Sequence, residues 1–363
     1  MIWHAVFTYF PFVVWVLTYL TFVRPLRLRV RDQSRWMAVL LLCFSKFLCF
    51  RGFGGNAFTP ELPEVVIWAW DWAYSGAMIL FALSVVLFLF RFPRKAYVVP
   101  VAAWGLAAWG LWNGVCVPKT VEIELAFENL PPALDGYRIA HLSDLHCSSA
   151  ARRWRTQAIV DIVHASRPDL ICITGDNVDG TLAKRRDFLE PILRLRARDG
   201  VLACTGNHEY YFNFPEWMDG FYRSSGAIRI LDNACAFPRP GLAVAGVPDP
   251  AGRQKGLDAP PDVRTAFAAA TNGEFRVLLQ HQPKSARENV REVGVNLQLS
   301  GHVHGGIAPG FRQFIERFNG GFSRGVYAIG KSYLHVSPGC GQWAGFPMRF
   351  FNDSEVTLIT LRR

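Results

Sequence analysis

The sequence predicts an α/β protein carried on membrane helices, and three observations predict it. Four long apolar stretches crowd the first third of the 363-residue chain. After Lys119 the texture changes to short apolar runs broken by Gly, Pro, Asn and Asp, with helix-like segments between them. Those runs end repeatedly in Asp, Asn or His. Strand–helix–strand alternation of this kind predicts sheets buried by helices, with ligands gathered beyond the carboxyl ends of the strands.

Residues 1–117 are expected to form the membrane region. Residues 5–23 read AVFTYFPFVVWVLTYLTFV, long enough to cross a hydrocarbon core of about 30 Å. Residues 36–50 are shorter and contain Lys46, residues 65–90 are apolar apart from Asp71, and residues 96–117 form a fourth stretch. A signal peptide would be single and followed by a cleavage site, so four transmembrane helices are expected. Arg24, Arg27, Arg29, Arg31 and Arg35 fill the first loop, and Arg91, Arg94 and Lys95 the third. The second has Arg51 beside Glu61 and Glu64. The positive-inside rule then puts loops one and three in the cytoplasm. Everything after Val117 is expected on the extracytoplasmic side of a cell inner or plasma membrane, and loss of the 36–50 span would reverse that. Asp71 stands among Trp68, Trp70 and Trp72, which reads as an interfacial position.

The net charge is +10, of which +6 lies in residues 1–117 and +4 in residues 118–363. So small an excess in the soluble part suits phosphate-bearing ligands and gives no reason to expect nucleic acid. ARRWR at 151–155 and AKRRD at 183–187 read as solvated faces, with anionic lipid head groups as the sharper alternative. The eight cysteines show neither zinc spacing nor a CxxC pair, and Cys172 and Cys204 are expected as buried thiols.

Residues 118–132 are read as a linker and residues 133–363 as the soluble domain. Its strand-like runs close on Asp144 and His146, Asp176 and Asp179, Asn207 and His208, His281, and then His302 and His304. The last two alternate on an extended segment in GHVH, so they can project together while Val303 turns away. A lone histidine at a strand end is usually a hydrogen-bonded structural residue. Five of the nine histidines at successive strand ends, with carboxylates, point to metal instead. Imidazoles, carboxylates and an amide without thiolate favour Mn²⁺, Fe²⁺/Fe³⁺ or Zn²⁺. The set exceeds a four-coordinate site, so two ions are expected, which can hold both oxygens of a phosphoryl transfer. His141 is expected to belong to its strand and not to the ligand set.

In order and separation, DLH at 144–146, GDNVD at 175–179, GNHE at 206–209, His281 in LLQHQP and GHVH at 301–304 resemble the calcineurin-like metallophosphoesterases over roughly residues 133–363. The tail from Gly325 also looks like a bacterial membrane-linked branch. The resemblance implies a four-layer α/β/β/α sandwich of two mixed sheets flanked by helices. It implies that Asp144, His146 and His304 hold one divalent metal, that Asn207, His281 and His302 hold a second, and that Asp176 bridges both. It implies that His208, oriented by Asp179, is the general acid, and that a bridging hydroxide attacks phosphorus in line. The catalytic set is then His208, Asp179 and Asn207.

Two departures narrow the reading. GDNVDG lacks an arginine after Asp179, which weakens a protein-phosphatase reading, and Cys147 and Ser148 stand where the branch often has glycine. The expected function is hydrolysis of a phosphomonoester, phosphodiester or pyrophosphate in a phosphorylated small molecule or lipid, with the membrane half favouring an amphiphile such as a phosphorylated lipid or lipid-linked pyrophosphate. Membrane lipids are the other expected partner, and the oligomeric state is left open. The alternative is a catalytically silent membrane sensor or transporter with a phosphate-binding domain. The long connection 307–325 suits a lid, where Phe311, Phe314 and Phe318 would either meet an acyl chain or close a small core, the second being the expectation.

Overall fold

In the computed structural model, which describes residues 2–91, 97–306, 311–343, 345 and 348–363, the run KTVEIELA forms an edge strand. This strand, β1 (Lys119–Ala126), pairs in parallel with the C-terminal strand, so residues 118–132 are not the linker expected. The signal was period-two alternation: Val121, Ile123 and Leu125 share one face, while Thr120, Glu122 and Glu124 share the other. Charged residues on an exposed edge also discourage pairing with other chains.

Two units make up the chain. One holds the N-terminal residues through Val115 with a short stretch ending at Arg349, and the other holds Cys116–Trp343 and Phe350–Arg363. In the second unit the strands are β1, β2 (Arg138–Leu142), β3 (Leu170–Thr174), β4 (Val201–Cys204), β5 (Arg229–Ile230), β6 (Ala234–Arg239), β7 (Leu242–Gly246), β8 (Phe275–Leu279), β9 (Leu297–Ser300), β10 (Gly325–Ile329), β11 (Ser332–Val336) and β12 (Glu355–Arg362). Among the described residues they form two six-stranded mixed sheets, ordered β1-β12-β2-β3-β4-β5 and β10-β11-β9-β8-β7-β6. The expected α/β/β/α architecture is what the chain adopts.

β3 explains why its sequence shows no alternation. Leu170 and Cys172 point into the core between the sheets, beside Val244, Leu279 and Leu299. Ile171 and Ile173 point the other way, into a core with Ile159, Val160 and Val163 of the helix Arg153–Ser166. A strand covered on both faces reads as a continuous apolar run. Cys172 and Cys204 are buried thiols in the inter-sheet core, as expected, and all eight cysteines are free.

The first unit contains α1 (Ile2–Thr18), α2 (Val30–Phe44), α3 (Lys46–Gly54), α4 (Glu64–Leu89) and α5 (Val98–Val115). Three helical segments, Thr8–Leu26, Glu64–Leu89 and Val98–Val115, are long and apolar enough to cross a membrane. The stretch expected over 36–50 is instead two helices bent by 54° at Ser45, which count together as one broken span or a re-entrant loop. Ser45 Oγ donates to Leu42 O at 2.7 Å, a local bond that competes with helix continuation. Lys46 follows the break, fully buried, with its Nζ 2.7 Å from Asp71 Oδ1. Asp71 is therefore the partner of an ion pair buried among the helices. Of the third loop's basic residues, Arg94 and Lys95 lie outside the described residues, as does residue 96 at the start of the expected fourth span.

Candidate metal centre

Each candidate ligand sits where its strand has just ended and the backbone turns sharply. Asp144, His146, Asp176, His302 and His304 all take positive φ, between 46° and 73°, which ordinary residues avoid. Such conformations cost on the order of 1–3 kcal/mol each and persist where surrounding structure enforces them. Close backbone approach is part of that enforcement. A Cβ at Gly301 would lie 1.9 Å from Ser143 Oγ and 2.1 Å from Asp144 Oδ2, so only glycine lets the β9 end meet the β2 end. At Gly206 a Cβ would lie 2.2 Å from Asp176 Oδ1.

The result is convergence of residues from five strand ends. Asp144, His146 and His304 can bring one ligand atom each within 4.8 Å of one another, as can Asp176, His281 and His302. Between these sets, Asp176 Oδ2 lies 3.2 Å from His281 Nε2 and 3.9 Å from His146 Nε2. Asn207 Oδ1 is 2.9 Å from His302 Nδ1, which brings the amide to the second set. His146 Nε2 and His304 Nε2 approach to 3.1 Å.

The donor set fits divalent metal. His281 Nδ1 lies 2.6 Å from the Thr174 carbonyl, which can only accept, so this nitrogen carries a proton and Nε2 is the atom left to face a metal. That Nε2 is buried without a hydrogen-bond partner although Asp176 Oδ2 is near, a costly arrangement for a structural histidine and a natural one for a ligand. Mixed imidazole, carboxylate and amide donors suit Mn²⁺, Fe²⁺/Fe³⁺ or Zn²⁺.

Beside the ligands, Asp179 Oδ1 lies 2.5 Å from His208 Nδ1. Burial alone would lower the His208 pKa, but the Asp176 and Asp179 carboxylates outweigh it and raise it to about 9. Burial likewise would raise Asp179, yet His146 and His208 hold it well below the usual carboxylate range. The rings of Tyr211, Phe212 and Trp343 stand 5.2, 6.3 and 6.1 Å from the His208 ring, giving that side of the centre an aromatic wall.

All nine residues singled out in the sequence thus come together. Several others matter and were missed. Glu209 is buried and accepts backbone N–H bonds from Asp176, Asn177 and Gly206 at 2.7–3.0 Å, so it clamps two ligand loops together. Its signal was its place in GNHE. The arginine absent after Asp179 has a partial counterpart in Arg185, whose buried guanidinium donates to Asp179 O at 3.1 Å. That bond supports the loop backbone and leaves the protein-phosphatase pattern unmatched. Cys147 points away from the ligands, with Sγ 3.1 Å from Thr156 Oγ1, and burial pushes its thiol up to about 12. After His304, residues 307–310 lie outside the described residues. In the helix Phe311–Phe318, Phe314 and Phe318 are 57% and 59% exposed, contrary to the small core expected of them. Ile315 and Phe322 supply that core.

Residues 137–306 match the profile of the family described as calcineurin-like phosphoesterase. A transmembrane protein with metallophosphoesterase domain from Danio rerio is 32% identical over 271 residues, covering 71% of this chain and 60% of that protein. An uncharacterized metallophosphoesterase from Aquifex aeolicus (strain VF5) is 32% identical over 238 residues, covering 65% of this chain and 88% of that protein. The chain belongs to the calcineurin-like metallophosphoesterase family. Its matched relatives include fish and bacterial proteins, so the similarity is wider than the bacterial branch expected. The chain covers 60% of the fish protein and 66% of a Helicobacter pylori (strain J99) relative to which it is 30% identical over 253 residues, or 69% of this chain. A solved dimetal phosphatase from Danio rerio aligns over 57% of this chain and 88% of that chain at 13% identity, with a TM-score of 0.40, too low to bear on function.

Proposed function

We propose that this chain is a membrane-anchored phosphoester hydrolase with a dinuclear metal centre, acting on a phosphorylated amphiphile. The observation that carries the reading is the position of Asp176 Oδ2, which faces His281 on one side and His146 on the other. Asp144, His146 and His304 would hold one ion, Asn207, His281 and His302 the other, and Asp176 both. When bound, two divalent ions supply charge neutralisation at phosphorus and acidify the attacking water.

The chain's own residues do the rest. Asp179 engages His208 Nδ1 and so leaves Nε2 as the atom that gives a proton to the leaving oxygen. The aromatic wall beside His208 favours a leaving group with an apolar part, and the membrane helices put the enzyme where such molecules concentrate. An extracytoplasmic catalytic unit follows if α2 and α3 together make one span. Neutralisation of Lys46 by Asp71 supports that span, because an unpaired lysine would be costly there.

The test is a phosphate-release panel on the full chain in detergent with Mn²⁺, containing a 4-nitrophenyl diester, nucleotides, lipid phosphates and lipid pyrophosphates. Preference for the lipid members supports the reading. Equal or better turnover of water-soluble esters reduces the helices to an anchor. Metal binding with no turnover of any member replaces the reading with a phosphate-binding sensor.

A further inference from the structure

A buried chain of polar side chains runs away from Asp144, across both sheets, and ends near the surface. Asp144 Oδ2 accepts from Ser143 Oγ at 2.6 Å. Ser143 Oγ accepts from Thr174 Oγ1 at 2.8 Å. Thr174 Oγ1 lies 2.9 Å from His141 Nε2, and His141 Nδ1 lies 2.8 Å from His335 Nδ1. Beyond it, Glu355 Oε1 stands 3.7 Å from His335 Nε2. Ser143, Thr174, His141 and His335 are all at most 2% exposed.

Donor directions follow from the chemistry of each group. A carboxylate only accepts, so the single O–H of Ser143 is committed to Asp144. Thr174 must then give its own O–H to Ser143, which obliges His141 Nε2 to carry a proton and donate to Thr174. Burial, then the neighbouring His335, push the His141 pKa well below the ordinary histidine range, so His141 is neutral and its Nδ1 accepts. The proton of that bond belongs to His335 Nδ1. Every hydrogen points toward Asp144, and bonds aligned head to tail polarise one another.

We infer that His335, His141, Thr174 and Ser143 are positioning residues that act as one unit, fixing which oxygen of Asp144 faces the metal. Oδ2 takes the serine bond, while Oδ1 lies toward His304 Nε2 at 3.6 Å and His146 Nε2 at 3.9 Å. Two histidines on different sheets, β2 and β11, are thereby tied to the affinity of a centre that neither touches. The inference rests on the reading of Asp144 as a ligand.

Mn²⁺ titration calorimetry on the EDTA-stripped full chain tests it. Thr174→Val keeps the shape of the residue and the carbonyl that pairs with His281, and removes only the hydroxyl. His335→Phe cuts the chain farther out. Each is expected to weaken one of two binding events by about 10–100-fold, the usual effect of outer-shell partners. Thr174→Ser and His335→Asn, which still donate, should restore affinity to within about threefold, judged on the same scale. The melting temperature of the stripped protein should separate the valine from the serine variant far less than affinity does. Because the residues act together, the Thr174→Val/His335→Phe double variant should bind about as well as the valine variant alone. Wild-type affinity in Thr174→Val, or losses that multiply in the double variant, would overturn the relay and leave the ligand assignment standing. A wild-type chain that binds no Mn²⁺ would overturn both.

Discussion

Asp179 is shared: one of its oxygens lies 2.5 Å from His208 Nδ1, and both lie 3.2 Å from His146 Nδ1. One carboxylate therefore orients a proposed proton donor and a proposed metal ligand together. Asp179→Asn should damage both jobs, whereas His208→Asn should damage only one. The histidine variant is expected to keep its metal while losing about 10²–10⁴-fold in kcat on alkyl esters, the usual contribution of a general acid. On a 4-nitrophenyl ester the loss should shrink, since that leaving group departs unprotonated. Equal losses on both esters would remove His208 from the acid role. The asparagine variant at 179 should lose metal as well, read by metal analysis after gel filtration.

Gly301 offers a steric test of the same centre. Its Cβ would collide with Ser143 Oγ and Asp144 Oδ2, so Gly301→Ala should destabilise the catalytic unit by about 1–3 kcal/mol and lower its metal content. Calorimetric melting of the purified chain shows the first effect and metal analysis the second. Normal melting with full metal content would mean that the β2 and β9 ends have room to spare.

Lys46 and Asp71 lie deep in the first unit, 0% and 1% exposed in their side chains. Removing one charge strands the other, so Lys46→Met alone should destabilise that unit by about 3–5 kcal/mol, while Lys46→Met with Asp71→Leu should be close to neutral. Detergent melting curves distinguish the cases. If Lys46→Met is harmless, the pair does not hold the bundle.

Buried His141 makes a pH prediction with a definite sign. Its pKa is depressed in the folded chain, through burial first and His335 second. The stabilising effect is complete above about pH 6.5, the unfolded value, and is lost as pH falls below it. The slope is at most about 1.4 kcal/mol per pH unit. Between pH 7 and 5, His141→Gln should flatten the fall in melting temperature of the stripped protein relative to wild type. Parallel curves would mean that His141 binds a proton without cost.

The candidate centre was legible because residue types able to hold metal stand at successive strand ends in short local patterns such as GHVH and GNHE. Contacts between distant residues left no such mark. Ser143, Thr174, His141 and His335 look like ordinary strand residues until the two sheets bring them within 3 Å of one another. β1 was missed because its alternation is half charged, and the break at Ser45 because residues 36–50 read as one apolar run. Phe314 and Phe318 misled for a different reason: apolar spacing at 311, 314, 315 and 318 identifies a face, and says nothing about whether that face is covered.

The most direct test of the central claim is metal stoichiometry and phosphate release measured together on the purified full chain and on Asp176→Asn. The account predicts two divalent ions per wild-type chain, Mn²⁺-dependent hydrolysis of a 4-nitrophenyl diester, and loss of both one ion and activity in the variant, because Asp176 faces both ligand sets. A folded wild-type chain that holds no divalent ion, or an Asp176→Asn chain that keeps two ions and full turnover, would contradict it.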